Sequence, residues 1–262
     1  MSILIVQVVS QGMIFGADRN VTETSIDLTS GGKLLKVVYG QSQRPKVLRW
    51  PNNKALLGYA GVAEIARRFS DEWFYDFIGK NIWFNSLEEL ANMLNDEVED
   101  QRRIDEGNQP AQGLMIHLGG FVERENYLVP EVWFIRNAYA LVDGQYRDIR
   151  KEYLCSEVFW EPEYVGDATA ENIREKLTKA QSWFHQGFDL RTFNVIDDFL
   201  NAGFRYLAKN HPGHEAPRTL DEFERRVRMS ILTYGAYFEA FMRPGEQYVG
   251  GGVDTVKLAW PI

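Results

Sequence analysis

The sequence of 262 residues has one cysteine, Cys155, and four histidines, His117, His185, His211 and His214. A single thiol excludes an intrachain disulfide and a cysteine-rich zinc site. The histidines show no recognisable ligand spacing, so neither a metal nor another cofactor is expected. Positive charge is also short. The 29 Lys+Arg stand against 37 Asp+Glu, a net charge of −8, which argues against nucleic-acid or phosphate binding driven by bulk charge. Long apolar runs are missing. The first stretch, Met1-Ser-Ile-Leu-Ile-Val-Gln-Val-Val9, has no basic lead and is interrupted at Gln7, Ser10 and Gln11, well short of the ~20 residues that a membrane span needs. No low-complexity segment or internal repeat stands out. The expectation is a soluble, cytoplasmic chain without a membrane segment, folded as one domain over residues 1–262.

Apolar runs at residues 2–9 and 13–17, separated by Ser10-Gln-Gly12, read as a hairpin. Residues 34–39, 46–50 and 54–59 read as further strands. From Val62 the period lengthens: Val62, Ile65, Ala66, Phe69, Phe74 and Phe77 suggest an amphipathic helix. Ser86-Leu-Glu-Glu89 is a capping box that opens a second helix with the stripe Leu87, Leu90, Ala91, Leu94 and Val98. Strands are expected at 113–121 and 127–135, with weaker ones at 138–146 and 158–165. Helices follow at about 170–185, 193–210 and 220–242, the last opened by a second capping box at Thr219-Leu-Asp-Glu222. A glycine-rich stretch leads into a final strand over 248–258. Residues 22–32, 105–112 and 210–218 look like loops. Segregated runs of strands and helices point to α+β layers rather than alternating βαβ units. Two antiparallel sheets flanked by helices, a four-layer αββα sandwich, fit that order.

The sharpest constellation lies in the first 61 residues: Ser2, Gly16-Ala-Asp-Arg-Asn20, Lys46 and Gly58-Tyr-Ala-Gly61. Here the sequence resembles the proteasome-type peptidases of the N-terminal-nucleophile hydrolases. The stretch from Lys46 to Gly61 is similar to the peptidase subunit of the bacterial two-component ATP-dependent protease. The similarity covers residues 2–66 and 246–258; between them only element order agrees, with residues 168–242 as helical additions. The resemblance implies Ser2 as nucleophile after removal of Met1, Asp18 and Lys46 as tuning residues and Gly61 as oxyanion donor, with Asn20 and Glu246 in support. It also implies a peptide or amide substrate, a homo-oligomeric ring and, by analogy alone, an ATPase partner. The chain departs from the family where Val249 stands in place of a serine. That favours an alternative, a catalytically silent subunit with a structural or gating role. A hydrolase of small amides is a third reading.

The chemistry can be stated independently. A free α-amine has an ordinary pKa of about 7.7–8.0, so a serine at the N-terminus carries both hydroxyl and base. A neighbouring ammonium would lower the pKa of both, and a carboxylate would hold that ammonium in place. Taken singly, each residue has a plainer reading: Ser2 as an ordinary second residue, Asp18 as a turn residue, Lys46 at a strand edge, Gly61 as a packing glycine. Elsewhere, His211-Pro-Gly-His214 reads as a surface turn, His117 as a core histidine and Cys155 as a structural thiol. The aromatics of Trp73-Phe-Tyr75 and of 234–241 read as core or subunit contacts, and Gly250-Gly-Gly252 as the lead-in to a strand.

Overall fold

The computed structural model describes the chain except residues 1, 29–33, 107–112, 139–140, 143–144, 147, 180–181, 187–189, 212, 214, 242–248 and 262. The chain begins with strands β1 (Leu4–Val9), β2 (Gly12–Asp18), β3 (Asn20–Leu28), β4 (Leu34–Gln43), β5 (Val47–Arg49), β6 (Ala55–Gly61), β7 (Glu64–Ile65) and β8 (Arg68–Phe69). Helices α1 (Ser70–Lys80) and α2 (Leu87–Glu106) follow, then strands β9 (Leu114–Arg124), β10 (Tyr127–Ala138), β11 (Leu141–Val142), β12 (Gln145–Tyr146) and β13 (Ile149–Glu157). Next come α3 (Pro162–Val165), α4 (Ile173–Lys179), β14 (Ser182–Gln186), α5 (Leu190–Asn210), α6 (Leu220–Phe241) and β15 (Val253–Ala259). Two larger antiparallel sheets organise them, in the orders β14-β1-β2-β15 and β13-β10-β9-β6-β5.

The opening hairpin explains why the first sheet is buried on both faces. Side chains alternate across a strand. Leu4, Val6, Val8, Met13, Phe15 and Ala17 share one core with Val47, Leu56, Ala60, Met115, Val132 and Phe134 of the second sheet. The opposite face, Ile3, Ile5, Val9 and Ile14, packs on Phe223, Val227, Ile231, Tyr234 and Phe238 of α6 and Ile196 of α5. Those α6 positions recur at helical spacing, so one stripe of the helix covers the sheet. A third core joins Leu57, Tyr59, Ile116 and Leu118 to Trp73, Phe74 and Phe77 of α1 and to the α2 stripe. Burying each such Leu, Ile or Phe stabilises by about 1.5–3 kcal/mol. Exposed ion pairs such as Arg68–Asp76 contribute about 0–1 kcal/mol, so apolar burial dominates.

Several sequence expectations are corrected. Residues 22–28, expected as loop, continue β3, which pairs with β4 from Asn20↔Gln43 to Leu28↔Leu34. The helix expected from Val62 begins at Ser70 instead. The chain first makes the ribbon β7–β8, turned by Ala66 and Arg67 at φ 53° and 54°, the left-handed pair that a tight hairpin requires. Ser70 closes it, its hydroxyl donating to the Val62 carbonyl (2.9 Å). Residues 158–165 form a turn and the short α3 rather than a strand. The helix expected over 170–185 stops at Lys179, and β14 pairs with β1 from Leu4↔Gln186 to Val8↔Ser182. An aromatic Ser-Trp-Phe-His run has strand preference, and β1 otherwise offers it an open edge. Strand β13 was not expected at all. The last strand starts at Val253 rather than Tyr248, which lies outside the described residues. Both helix starts are capped: Ser86 Oγ accepts from Glu89 N (3.0 Å) while the Glu89 carboxylate accepts from Asn85 N (3.3 Å), one residue before the expected partner, and Thr219 and Glu222 cap each other (3.3 and 2.9 Å).

Candidate active site

Four buried polar residues converge where β1 and β2 meet the start of β5: Ser2 (4% exposed), Asp18 (0%), Asn20 (6%) and Lys46 (3%). The hairpin register Leu4↔Ala17 carries the chain before β1 past the end of β2. There Asp18 N donates to the Ile3 carbonyl (3.3 Å), and Asp18 Oδ1 accepts from Ile3 N (2.9 Å). The second oxygen, Oδ2, accepts from Asn20 N (3.2 Å). Asp18 therefore ties the chain before β1 to the end of β2.

Lys46 enters from the other sheet, 44 residues from Ser2 in sequence. Its Nζ donates to Ser2 Oγ (2.9 Å), to Asp18 Oδ2 (3.1 Å) and to the Asn20 carbonyl. Three acceptors match the three N–H groups of an ammonium. Burial pushes the Lys46 pKa below its ordinary 10.5, and the charge of Asp18 opposes that. Burial likewise raises Asp18 above 3.8, opposed first by the charge of Lys46. Removing either partner would leave an uncompensated charge where water cannot reach it.

Gly61 ends β6. Tyr59 N donates to the Lys46 carbonyl (2.9 Å), so Gly61 lies two residues on, at the Lys46 end of the β5–β6 pair. Its φ is +117°, and a Cβ there would stand 2.0 Å from the Gly113 carbonyl oxygen. The expected strand-to-helix junction is corrected, because α1 starts nine residues later, at Ser70. Any oxyanion role for Gly61 thus rests on its own N–H without a helix terminus. Glu246 lies outside the described residues. Val249 is buried (3%).

Sequence reading missed Arg44 and the backbone carbonyls beside the site. Arg44 N donates to the Arg19 carbonyl (2.9 Å), joining the strand that leads to Lys46 with the turn after Asp18. Its guanidinium binds Asp71 and Glu72 and lies 3.3 Å over the Phe69 ring. No motif marks it. The other candidates behave plainly. His117 is 1% exposed and stacks on Phe134 at 4.6 Å. His211 is exposed at the end of α5, and His214 lies outside the described residues. Burial pushes the Cys155 thiol up to about 12, so it is a poor nucleophile. Trp73 and Phe74 of α1 and Tyr234 and Phe238 of α6 are core residues. Among the described residues no cluster of three or more His, Cys, Asp or Glu is placed to hold a metal ion. None of the described helices is long and apolar enough to cross a membrane.

No family model matches the chain, and no curated protein matches it. Among solved structures it is similar to Anbu (ancestral beta-subunit) from Yersinia bercovieri, with 12% identity over 98% of this chain and 81% of that one and a TM-score of 0.45. It is also similar to an Anbu (Gly-1) mutant from Hyphomicrobium sp. strain MC1, with 13% identity over 100% and 84% and a TM-score of 0.46.

Proposed function

We propose that the chain is a proteasome-like N-terminal-nucleophile hydrolase of peptide or amide bonds, with Ser2 as nucleophile once Met1 is removed. The observation that carries the reading is the contact of Lys46 Nζ with Ser2 Oγ and Asp18 Oδ2. Ser2 Oγ attacks the substrate carbonyl carbon and gives its proton to its own α-amine. The Lys46 ammonium lowers the pKa of both groups, and Asp18 holds that ammonium in place. The Gly61 N–H donates to the developing oxyanion. The α-amine then protonates the leaving nitrogen, and water hydrolyses the Ser2 ester. Asn20 and Glu246 support the site.

The reading extends to the architecture. Three apolar cores, one between the sheets and one on each outer face, support a four-layer αββα sandwich in a single domain with residues 168–242 as helical additions. A cytoplasmic homo-oligomeric ring follows from the sequence resemblance, as does an ATPase partner by analogy. The second reading, a silent subunit, is favoured by the buried Val249, which supplies no hydroxyl where the family resemblance expects a serine.

The test uses protein purified from its native host. Its N-terminus is read by mass spectrometry, and the protein is treated with a β-lactone. A stoichiometric adduct on Ser2, lost in Lys46→Met, is expected. A retained Met1, or no adduct on a free Ser2, would remove the hydrolase reading and leave the silent subunit.

A further inference from the structure

We propose that the Gly250–Gly252 loop is a positioning clamp that presents the Asn20 carbonyl to Lys46, an inference that rests on the hydrolase reading above. The Gly250 carbonyl accepts from both Arg19 N (3.2 Å) and Asn20 N (3.1 Å), and the Gly252 carbonyl accepts from Arg19 N (3.2 Å). The backbone N–H groups of Arg19 and Asn20 are thereby held by the loop. Across the Asn20 Cα, the Asn20 carbonyl accepts from Lys46 Nζ, and Asn20 N also donates to Asp18 Oδ2. One short backbone segment therefore connects the loop to all the charged groups of the site.

Glycine is required here for two reasons. The three φ values are +147°, +71° and +96°, and side chains are strained throughout that range. A Cβ on Gly251 would also stand 3.3 Å from Asn20 N and 3.4 Å from Asn20 Cα, so it would push on the peptide that the loop holds. Helix α6 backs the loop: a Cβ on Gly235 would come within 3.5 Å of Gly250 Cα. The Arg19–Asp254 ion pair (3.2 Å) anchors the same turn to the start of β15. A crevice of about 460 Å³ lined by Asn20, Gly235, Glu239 and Gly250–Gly252 opens beside the loop. Side-chain packing is thus open on that side, and the carbonyl hydrogen bonds set the loop's place.

The consequence is chemical. An acceptor aimed at an ammonium favours its charged form. Displacing the Asn20 carbonyl removes one of the three acceptors of Lys46, so Lys46 loses its proton at lower pH. In the proposed mechanism the ammonium is needed, so the high-pH limb of Ser2 reactivity moves down.

The experiment compares wild type, Gly251→Ala and Gly213→Ala. Gly213 has φ +87° and nothing within 4 Å of an added Cβ, so it carries similar backbone strain away from the site. Rates of Ser2 acylation by a β-lactone are measured from pH 6 to 10. In parallel, the Lys46 ammonium is followed in 15N-lysine-labelled protein and assigned by its loss in Lys46→Met. For Gly251→Ala we expect acylation about tenfold slower, a high-pH limb lowered by roughly half a pH unit and a shifted or broadened Lys46 signal. Gly213→Ala should match wild type in all three. An unchanged limb and an unchanged Lys46 signal in folded Gly251→Ala would overturn the clamp. If wild type is not acylated, the hydrolase reading falls, and the Lys46 signal alone decides the clamp.

Discussion

The buried Asp18–Lys46 pair makes a prediction about stability that does not depend on activity. Asp18→Asn keeps the shape of the side chain but removes the counter-charge 3.1 Å from Lys46 Nζ, where both side chains are at most 3% exposed. The variant then has two routes. It can hold an uncompensated ammonium, which costs about 3–5 kcal/mol when one partner of a buried pair is removed. Alternatively, Lys46 releases its proton. One pH unit is worth about 1.4 kcal/mol, so holding neutral at pH 7 a lysine whose ordinary pKa is 10.5 costs about 5 kcal/mol. The two routes agree in size, so a loss of about 3–5 kcal/mol is expected at pH 7. The sign with pH follows from proton counting. A lysine whose native pKa is lowered binds fewer protons folded than unfolded, so stability rises with pH up to 10.5. The gap between variant and wild type should therefore narrow from pH 7 to 9 by up to about 1.4 kcal/mol per unit. Urea unfolding at pH 7, 8 and 9, followed by the fluorescence of the seven tryptophans, measures this. The double variant Asp18→Asn/Lys46→Met should recover more than half of the loss, because no charge is then stranded. A loss under about 1 kcal/mol would refute the buried-pair argument, while a gap that does not change with pH would show that the variant takes the first route and keeps the ammonium.

Three further outcomes can be checked on the same material. Gly61→Ala places a Cβ 2.0 Å from the Gly113 carbonyl oxygen at φ +117°, so thermal unfolding should show a loss of about 3–4 kcal/mol. At about 2–4 °C per kcal/mol for a chain of this size, Tm falls on the order of 10 °C. Thr219→Ala removes the acceptor for Glu222 N (3.3 Å), a loss of about 1 kcal/mol in urea unfolding. Cys155, its thiol raised from 9.0 to about 12, should react with a disulfide reagent at pH 7 about a thousandfold more slowly folded than in urea.

The opening hairpin and the strands between residues 46 and 61 were legible because their signals are local and redundant. Alternating apolar residues with a Gly12 turn define the hairpin, and Ser2, Asp18 and Lys46 stand at the ends of strands whose arrangement brings the three side chains together. Both capped helix starts were legible for the same reason. What failed depended on tertiary contact. Strand β13 has Glu152 and Leu154 exposed between buried Tyr153 and partly buried Cys155. Its pattern is diluted by edge charges, and only pairing with β10 reveals it. Strand β14 follows α4 after a gap of two residues, Ala180 and Gln181, so a continuous helical reading ran through it. The ribbon β7–β8 needs Ala66 and Arg67 in left-handed conformations that their residue types do not advertise. Arg44 and the Gly250 and Gly252 carbonyls act beside the site through backbone atoms, which leave no side-chain motif to read.

The buried Val249 sharpens the question that separates the two functional readings. It sits beside Gly250, whose carbonyl takes two backbone N–H groups. In the family that the sequence resembles, a serine at this position supports the N-terminal amine. A valine there offers only apolar surface. Three acceptors converge on one buried ammonium. Such a polar cluster usually costs stability compared with well-packed apolar residues. Stability alone would not maintain it, so an Asp18→Leu/Lys46→Met variant that folds more stably than wild type yet fails to acylate would mark the cluster as one kept for chemistry.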